Sequence, residues 1–298
     1  HFAIRKKRMS NKKGDELMKQ AEARLNKFSL FNKSAKFEDA AELFKKAANQ
    51  YKVAQFWPEA GKAFSRAAEC YLQLDQNHDA ASSYIDAAVC VKKSDMDKAV
   101  ELYQEAIALF CDMGRFANAA KLEKEIGEMY ESNNDSEKCV KHFQKAADYF
   151  MGEDSSAAAN QCLLKVAHFN ALMEKYEDAE KIYEQVAQAC LEKNVLKFNA
   201  KGYLFCAGIL HLVQGDIVAM RQQIDRYKEM DYTFGSSREC KLLEDLTNDV
   251  ENMNVDDFTE HVFEYDSISP LDPWKTTMLL RVKKTLGGAG DEEEINLT

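Results

Sequence analysis

The chain has 298 residues, with 40 Lys and Arg against 50 Asp and Glu, and only 12 Gly and 3 Pro. This shortage of Gly and Pro argues against β-sandwiches, Rossmann-type sheets and collagen-like chains, whose turns need these residues. Ala, Leu, Glu and Lys are abundant, and these residues favour α-helix. Because no stretch approaches the roughly 20 apolar residues that cross a bilayer, and no secretory signal is visible, the sequence predicts a soluble protein.

The N-terminal segment is basic and reads HFAIRKKRM over residues 1–9. Because Met9 looks like a natural start, we interpret these residues as a leader that lies outside the functional protein. A first helix follows and ends near residue 27. Residues 27–36 are then expected to form a polar loop that carries three large apolar side chains, Phe28, Leu30 and Phe31.

One pattern repeats from about residue 37 to residue 190: a pair of small residues, a large apolar residue, a second small pair and a final large apolar residue. The first copy begins with Ala40-Ala41 and ends with Tyr51. The final position recurs every 19 or 20 residues, at 51, 71, 91, 110, 130, 150 and 190, with Asn at the expected position 170. The apolar residues within each copy recur at i, i+3/i+4 and i+7, which indicates an amphipathic helix.

Turn-forming residues separate the copies at the same period, so each copy predicts one helix that runs antiparallel to its neighbours. We therefore predict an all-α fold, a right-handed TPR-like α-solenoid of antiparallel helix hairpins, capped by a C-terminal helical bundle. The predicted solenoid covers residues 10–200 and the bundle covers 201–286. Residues 287–298 form an acidic tail.

Charge is distributed unevenly along the chain. Residues 231–298 contain 16 acidic and 6 basic residues, so the net charge of −10 of the whole chain is concentrated there. A general nucleic-acid-binding protein would show the opposite bias. The acidic C-terminal region either improves solubility or contacts a basic partner.

The motifs of common enzyme classes are missing from the sequence. It has no GxxxxGK[ST], no GxGxxG and no HExxH, and its eight cysteines form no CxxC pair. The six histidines show no metal-ligand spacing with the cysteines. We therefore expect no catalytic activity, no cofactor and no metal ion, reduced cysteines that pack as small apolar residues, and a function in protein binding.

Several segments resemble the soluble NSF attachment protein family, alpha/beta type, over nearly the whole chain. The resemblance is clearest in LQLDQNHDAASSYIDAA (72–88), YFMGEDSSAAANQCLLKVA (149–167) and NVDDFTEHVFEYDSISPLDPWKTTMLLRVKK (254–284). The resemblance implies an adaptor that binds assembled SNARE complexes and recruits and stimulates the AAA ATPase NSF, which disassembles them. It also implies a cytoplasmic protein, peripheral on membranes, that acts in vesicle-mediated transport such as ER–Golgi transport.

The resemblance implies a basic surface that grips the acidic exterior of the SNARE four-helix bundle. The matching positions in this sequence are Lys92, Lys93, Arg115, Lys121, Lys165, Lys197 and Lys201. Lys121 and Gln161 occupy the same position of the repeat, so we expect them to face the same way. The family usually has Lys at the positions of Gln55 and Gln161, and these departures weaken or alter the predicted grip.

Two further sites follow from the resemblance. Phe28, Leu30 and Phe31 correspond to an apolar loop that attaches weakly to membranes; packing against the first hairpin is the alternative. The NSF-binding positions are Asp216, Asp249, Glu251 and Leu297. Acids that the family usually has at Asn248 and Asn252 are absent, and Asp245 and Asp249 are the candidates to replace them.

A generic TPR-type interaction scaffold or cochaperone is the alternative function. Such a protein would bind peptide tails through a Lys and Asn clamp in its groove and would not recognise coiled coils. A hydrolase hidden in the C-terminal bundle is a third possibility.

Overall fold

The computed structural model describes residues 2–27, 33–193 and 196–287, with side chains for 12–27, 34–193 and 196–287. Within these ranges the fold is all-α and contains no β-strand, which confirms the predicted fold class. The helices are α1 (Phe2–Asn26), α2 (Lys33–Val53), α3 (Trp57–Leu72), α4 (Asn77–Val91), α5 (Met96–Asp112), α6 (Phe116–Ser132), α7 (Ser136–Gly152), α8 (Ser156–Leu172), α9 (Tyr176–Leu191), α10 (Lys197–Gln214), α11 (Ile217–Met230), α12 (Arg238–Glu251), α13 (Val255–Ile268) and α14 (Pro273–Leu286).

The loop predicted at residues 27–36 is shorter than expected. Helix α2 already begins at Lys33, so its first turn includes the last four residues of that segment. These residues, KSAK, contain neither Gly nor Pro, and nothing in them opposes continuation of the helix toward its N-terminus.

The chain divides into two compact units. Within the described residues, unit 1 is formed from His1–Asp135 and Lys145–Ala159, and unit 2 from Ser136–Gln144 and Asn160–Thr298. In unit 1 each of α1 to α5 packs extensively against the next helix, as expected for a helical repeat. In unit 2, α10 packs against α9, α11, α12 and α14, which is the arrangement of a bundle. The domain division predicted at residues 200 and 201 stays a prediction.

The turns between helices explain the period of the sequence. A residue in the left-handed conformation follows α2, α3, α5, α6, α7 and α8, at Gln55, Asp75, Gly114, Asn134, Asp154 and Glu174, whereas the turn after α4 has none. The next residue then donates its backbone N–H to the carbonyl of the final repeat position, as Phe56 does to Tyr51 at 2.9 Å and Arg115 does to Phe110 at 2.7 Å. This is the Schellman arrangement, which satisfies carbonyl groups that would otherwise be unpaired at the end of a helix.

The small residues of the repeat allow the helices to approach closely. Ala40, Ala41, Ala67 and Ala68 are completely buried, and so are the alanine pairs of several following copies, Ala80-Ala81, Ala87-Ala88, Ala119-Ala120 and Ala146-Ala147. Gly61 shows how close α3 comes to α4, because a Cβ atom at this position would lie 2.5 Å from Cγ1 of Val91. Small side chains at these positions therefore set the helix spacing.

Helix α14 is anchored to the end of α8 in unit 2. Arg281 donates hydrogen bonds from Nη1 to the carbonyl oxygen of Ala171 at 2.8 Å and from Nη2 to that of Leu172 at 3.0 Å. Its Nη1 also donates to the hydroxyl of Tyr176 at 2.9 Å. Trp274 donates its indole N–H to the carbonyl of His168 at 3.3 Å. A positive charge at the C-terminus of α8 is favourable, and both anchors belong to the segment DPWKTTMLLR.

None of the helices in the described ranges is both long enough and apolar enough to cross a lipid bilayer.

Candidate functional sites

Four of the predicted SNARE-contacting residues are exposed in unit 1. Lys92 and Lys93 follow the end of α4, Arg115 is the residue before α6, and Lys121 lies in α6. Lys92 forms an ion pair with Glu125, one helical turn after Lys121. An exposed pair of this kind contributes at most about 1 kcal/mol, so Lys92 can exchange its partner for an acidic ligand at small cost.

The other three predicted SNARE-contacting residues lie in unit 2. Lys165 is exposed in α8. Lys197 is the first residue of α10 and is exposed, and Lys201 follows one turn later and is half-buried. Residues four apart share one face of a helix, so Lys197 and Lys201 form a local pair. The assembly of all seven basic residues into one binding surface stays a prediction.

The two glutamines that depart from the family pattern are both exposed. Gln55 is the left-handed residue of the turn after α2, with φ of 63°. Gln161 lies in α8, one turn before Lys165. Neither residue is part of the core, so each of them can be replaced by Lys without loss of packing.

Two of the predicted NSF-contacting acids are exposed. The side chain of Asp216 accepts a hydrogen bond from the backbone N–H of Ala219 at 2.9 Å and thereby caps the N-terminus of α11. Glu251, in the last turn of α12, forms an ion pair with Arg221 of α11. Arg221 also donates to the Oδ1 atom of Asn248 at 3.0 Å. The same arginine therefore partly neutralises the acidic surface that the sequence predicts here.

Asp249 does not present its carboxylate on the surface, which corrects the expectation for this residue. It is only 5% exposed, and its Oδ2 atom lies 2.7 Å from Nδ1 of His261 in α13. Asp249 therefore cannot replace the acids that are missing at Asn248 and Asn252 by direct contact. Asp245, one turn earlier, is partly exposed and stays a candidate.

The environment of this pair shifts the pKa of both groups. Burial, together with the negative charges of Asp257 and Asp245, raises the pKa of Asp249, although the hydrogen bond and charge of His261 lower it. Burial lowers the pKa of His261, but the hydrogen bond and charge of Asp249, together with the charges of Asp245 and Asp257, raise it above its ordinary value. The pair therefore acts as a polar link between α12 and α13.

Four predicted site residues lie outside the described residues. They are Phe28, Leu30 and Phe31 of the apolar loop, and Leu297 of the acidic tail.

A polar cluster in unit 2 was not predicted from the sequence. Glu180 and Glu184 of α9 converge with His211 of α10, and one oxygen or nitrogen atom of each lies within 4.8 Å of the others. The Nε2 atom of His211 is 2.9 Å from Oε1 of Glu180. The i, i+4 spacing of the glutamates is visible in the sequence, but the contribution of His211 requires knowledge of how α9 and α10 pack.

The fold and its exposed charges define the class of protein. A repeat of closely packed helices, followed by a helical bundle, presents basic residues at helix ends and acidic residues at the start of α11 and the end of α12. Such a chain is a helical-repeat protein with charged residues on its surface.

Comparison with known proteins identifies the family. The model of the family described as "Soluble NSF attachment protein, SNAP" matches residues 12–287. The human alpha-soluble NSF attachment protein is 46% identical over 267 residues, which cover 89% of this chain and 90% of the relative. The Vitis vinifera alpha protein is 43% identical, covering 96% and 98%, and the Bos taurus beta protein is 42% identical, covering 93% and 94%. The chain belongs to the soluble NSF attachment protein family, and the predicted resemblance is confirmed.

Proposed function

We propose that this protein is a non-enzymatic adaptor that binds assembled SNARE complexes at membranes and recruits and stimulates the ATPase NSF for their disassembly. The observation that carries this proposal is the family match over residues 12–287, which includes both units of the structure. The family is one of attachment proteins, and related proteins from fungi are named as vesicular-fusion proteins. We place the protein in the cytoplasm, peripherally attached to membranes.

The SNARE-facing surface is proposed to consist of the seven basic residues. Six of them are exposed, and Lys201 is partly exposed, so their charges can reach a ligand without unfolding any helix. Exposed charges attract an acidic coiled coil over several ångströms and accelerate association, and salt screens this attraction. We expect Gln55 and Gln161 to reduce the positive charge of this surface relative to the usual family pattern.

The NSF-facing surface is proposed to include Asp216 and Glu251, together with Leu297 in the acidic tail. Glu251 pairs with Arg221 of α11, the helix whose N-terminus Asp216 caps. A basic surface of NSF would compete with Arg221 for Glu251. Asp249 is buried and contributes to this surface indirectly, because its contact with His261 links α12 to α13.

The apolar loop is proposed to attach the protein to membranes through Phe28, Leu30 and Phe31. Burial of one large apolar side chain contributes roughly 1.5–3 kcal/mol, which is enough for reversible attachment. Weak attachment raises the effective concentration of the adaptor near membrane-anchored SNARE complexes.

A reconstituted disassembly assay tests the proposed function. A preassembled SNARE bundle is incubated with this protein, with NSF, and with ATP or a non-hydrolysable analogue. We expect the bundle to retain this protein without NSF, to retain both proteins with the analogue, and to dissociate with ATP. Failure to bind the bundle, or ATP turnover by this protein alone, would contradict the proposal.

A charge reversal at Lys121 tests the proposed basic surface most directly. We expect Lys121→Glu to weaken binding to the SNARE bundle at least several-fold at low salt, and the difference to shrink as salt is added. The matched control is Lys46→Glu, a charge reversal at an exposed lysine of α2 that pairs with Glu42 and is not a predicted contact. If the two variants bound the SNARE bundle equally well, Lys121 would not belong to the binding surface.

A further inference from the structure

Glu180, Glu184 and His211 combine the donor atoms of a metal site in one place. Their side chains are only 12%, 13% and 12% exposed, so the three donors meet in a largely dehydrated environment. Glu180 and Glu184 are four residues apart and therefore lie on the same face of α9. His211 reaches them from α10, which packs extensively against α9.

The Nε2 atom of His211 lies beside a carboxylate oxygen but does not have the geometry of a hydrogen bond to it. This nitrogen is inaccessible to solvent, and Oε1 of Glu180 lies only 2.9 Å away. Buried polar atoms are nearly always paired, and an unpaired one indicates a missing ligand, ion or water. The nitrogen faces a carboxylate oxygen, and a cation is the ligand that both atoms attract.

We propose that Glu180, Glu184 and His211 bind a divalent transition-metal ion, with Zn²⁺ as the best match. Zinc binds imidazole nitrogen and carboxylate oxygen at about 2.0–2.2 Å, so two of its tetrahedral ligands lie about 3.4 Å apart. The donor atoms present here, all within 4.8 Å of one another, need only small side-chain rotations to reach this spacing. A water molecule would complete the four ligands.

Neighbouring side chains hold the two carboxylates in place. Gln214 donates to Oε2 of Glu180 at 2.9 Å, which leaves Oε1 for the ion. Tyr227 of α11 donates to Oε1 of Glu184 at 2.7 Å. Such outer contacts orient the ligands of metal sites and strengthen binding.

Among the described residues, two positive charges oppose a cation at this position: Arg226, which contacts Glu184, and Lys181, whose charge acts on Glu180. The Nη1 atom of Arg226 lies 3.1 Å from Oε2 of Glu184 and 3.2 Å from the side-chain oxygen of Gln223. Arg226 is 53% exposed, so it can turn into solvent when an ion binds. A bound ion would then link α9 to α10 directly, and to α11 through Tyr227, and would stabilise unit 2.

Calorimetric titration of the metal-free full-length protein with Zn²⁺ tests the proposal. We expect one ion to bind per chain and, at saturating Zn²⁺, the midpoint of thermal unfolding to rise by roughly 5 °C. Glu180→Gln and His211→Gln should each weaken binding at least tenfold. Glu177→Gln, on the same helix but 78% exposed, is the matched control and should bind as the parent does.

The cysteines require a separate control because thiolates also bind zinc. None of the eight cysteines forms a disulfide, and seven of them are buried while Cys111 is partly exposed, so Cys111→Ser should leave the affinity unchanged. X-ray absorption of the zinc-loaded parent protein should show nitrogen and oxygen ligands only, which tests the site even if a variant fails to fold. Absence of stoichiometric binding, a sulfur ligand, or cluster variants that both bind Zn²⁺ as tightly as the parent would overturn the proposal. None of these measurements involves SNARE complexes or NSF, so their outcome is independent of the proposed function.

Discussion

Replacing glycine by alanine at two positions of α10 should change the stability of the protein in opposite directions. Gly208 is buried against α12, and a Cβ atom there would lie 2.4 Å from Cδ1 of Leu243, which is itself completely buried. At Gly202, on the same helix, a Cβ atom would have no neighbour within 4 Å. Alanine favours helix over glycine by about 0.8–1.0 kcal/mol at either position, so only the packing differs.

The size of each change in stability follows from these distances. Overpacking of a closed core costs about 1–3 kcal/mol, and Leu243 cannot move away because it is enclosed. After the gain in helix propensity, we expect Gly208→Ala to lower the free energy of unfolding by up to about 2 kcal/mol. Gly202→Ala should raise it by roughly 0.5–1 kcal/mol.

Urea unfolding followed by circular dichroism measures this difference. Both variants should unfold with the same dependence on urea concentration as the parent, so that the midpoints compare stabilities directly. If Gly208→Ala were as stable as Gly202→Ala, the close approach of α10 and α12 would not exist in solution.

Three further predictions concern the C-terminal region. Arg281→Met should lower the free energy of unfolding by about 2–3 kcal/mol, because two carbonyls at the end of α8 lose a charged donor. Arg281→Lys should lose only part of this stability. Chemical unfolding of the parent and the two variants measures the differences. Because the pKa of His261 is raised in the folded state, the stability that its contact with Asp249 provides should be complete below about pH 6.5 and decline as pH rises through the raised pKa. The difference in unfolding free energy between the parent and His261→Gln should therefore shrink with pH, and a constant difference would contradict this reasoning. Leu297→Ala should leave SNARE binding unchanged and reduce stimulation of NSF, as measured by phosphate release; undiminished stimulation would exclude the tail from the site.

The repeat could be predicted from the sequence because its causes are local. The final apolar positions, such as Tyr51 and Phe110, accept the hydrogen bonds that close each turn, so the sequence period and the turn geometry are the same feature. Five of the six left-handed residues in the turns of the repeat are not glycine, and a search for glycine would have found only Gly114 among these turns. Their position relative to the apolar residues identifies the turns more reliably than their residue type.

The candidate sites were less predictable, because exposure depends on neighbouring helices. Asp249 and Glu251 are two residues apart on α12, yet α13 covers the first and leaves the second exposed. The family pattern gave both residues the same expected role. Similarly, the role of Arg281 in holding α8 is not visible in the segment TTMLLR, since its partners lie about 110 residues earlier.

The sequence alone determined the helices, their period and the family, because hydrophobic periodicity and turn-forming residues act over fewer than ten residues. The tertiary structure alone decided which polar groups are buried, which carboxylates meet an imidazole or a guanidinium, and which glycines are indispensable. Burial and pairing join residues that are distant in sequence, as Glu180 and His211 are, and no local pattern specifies these contacts.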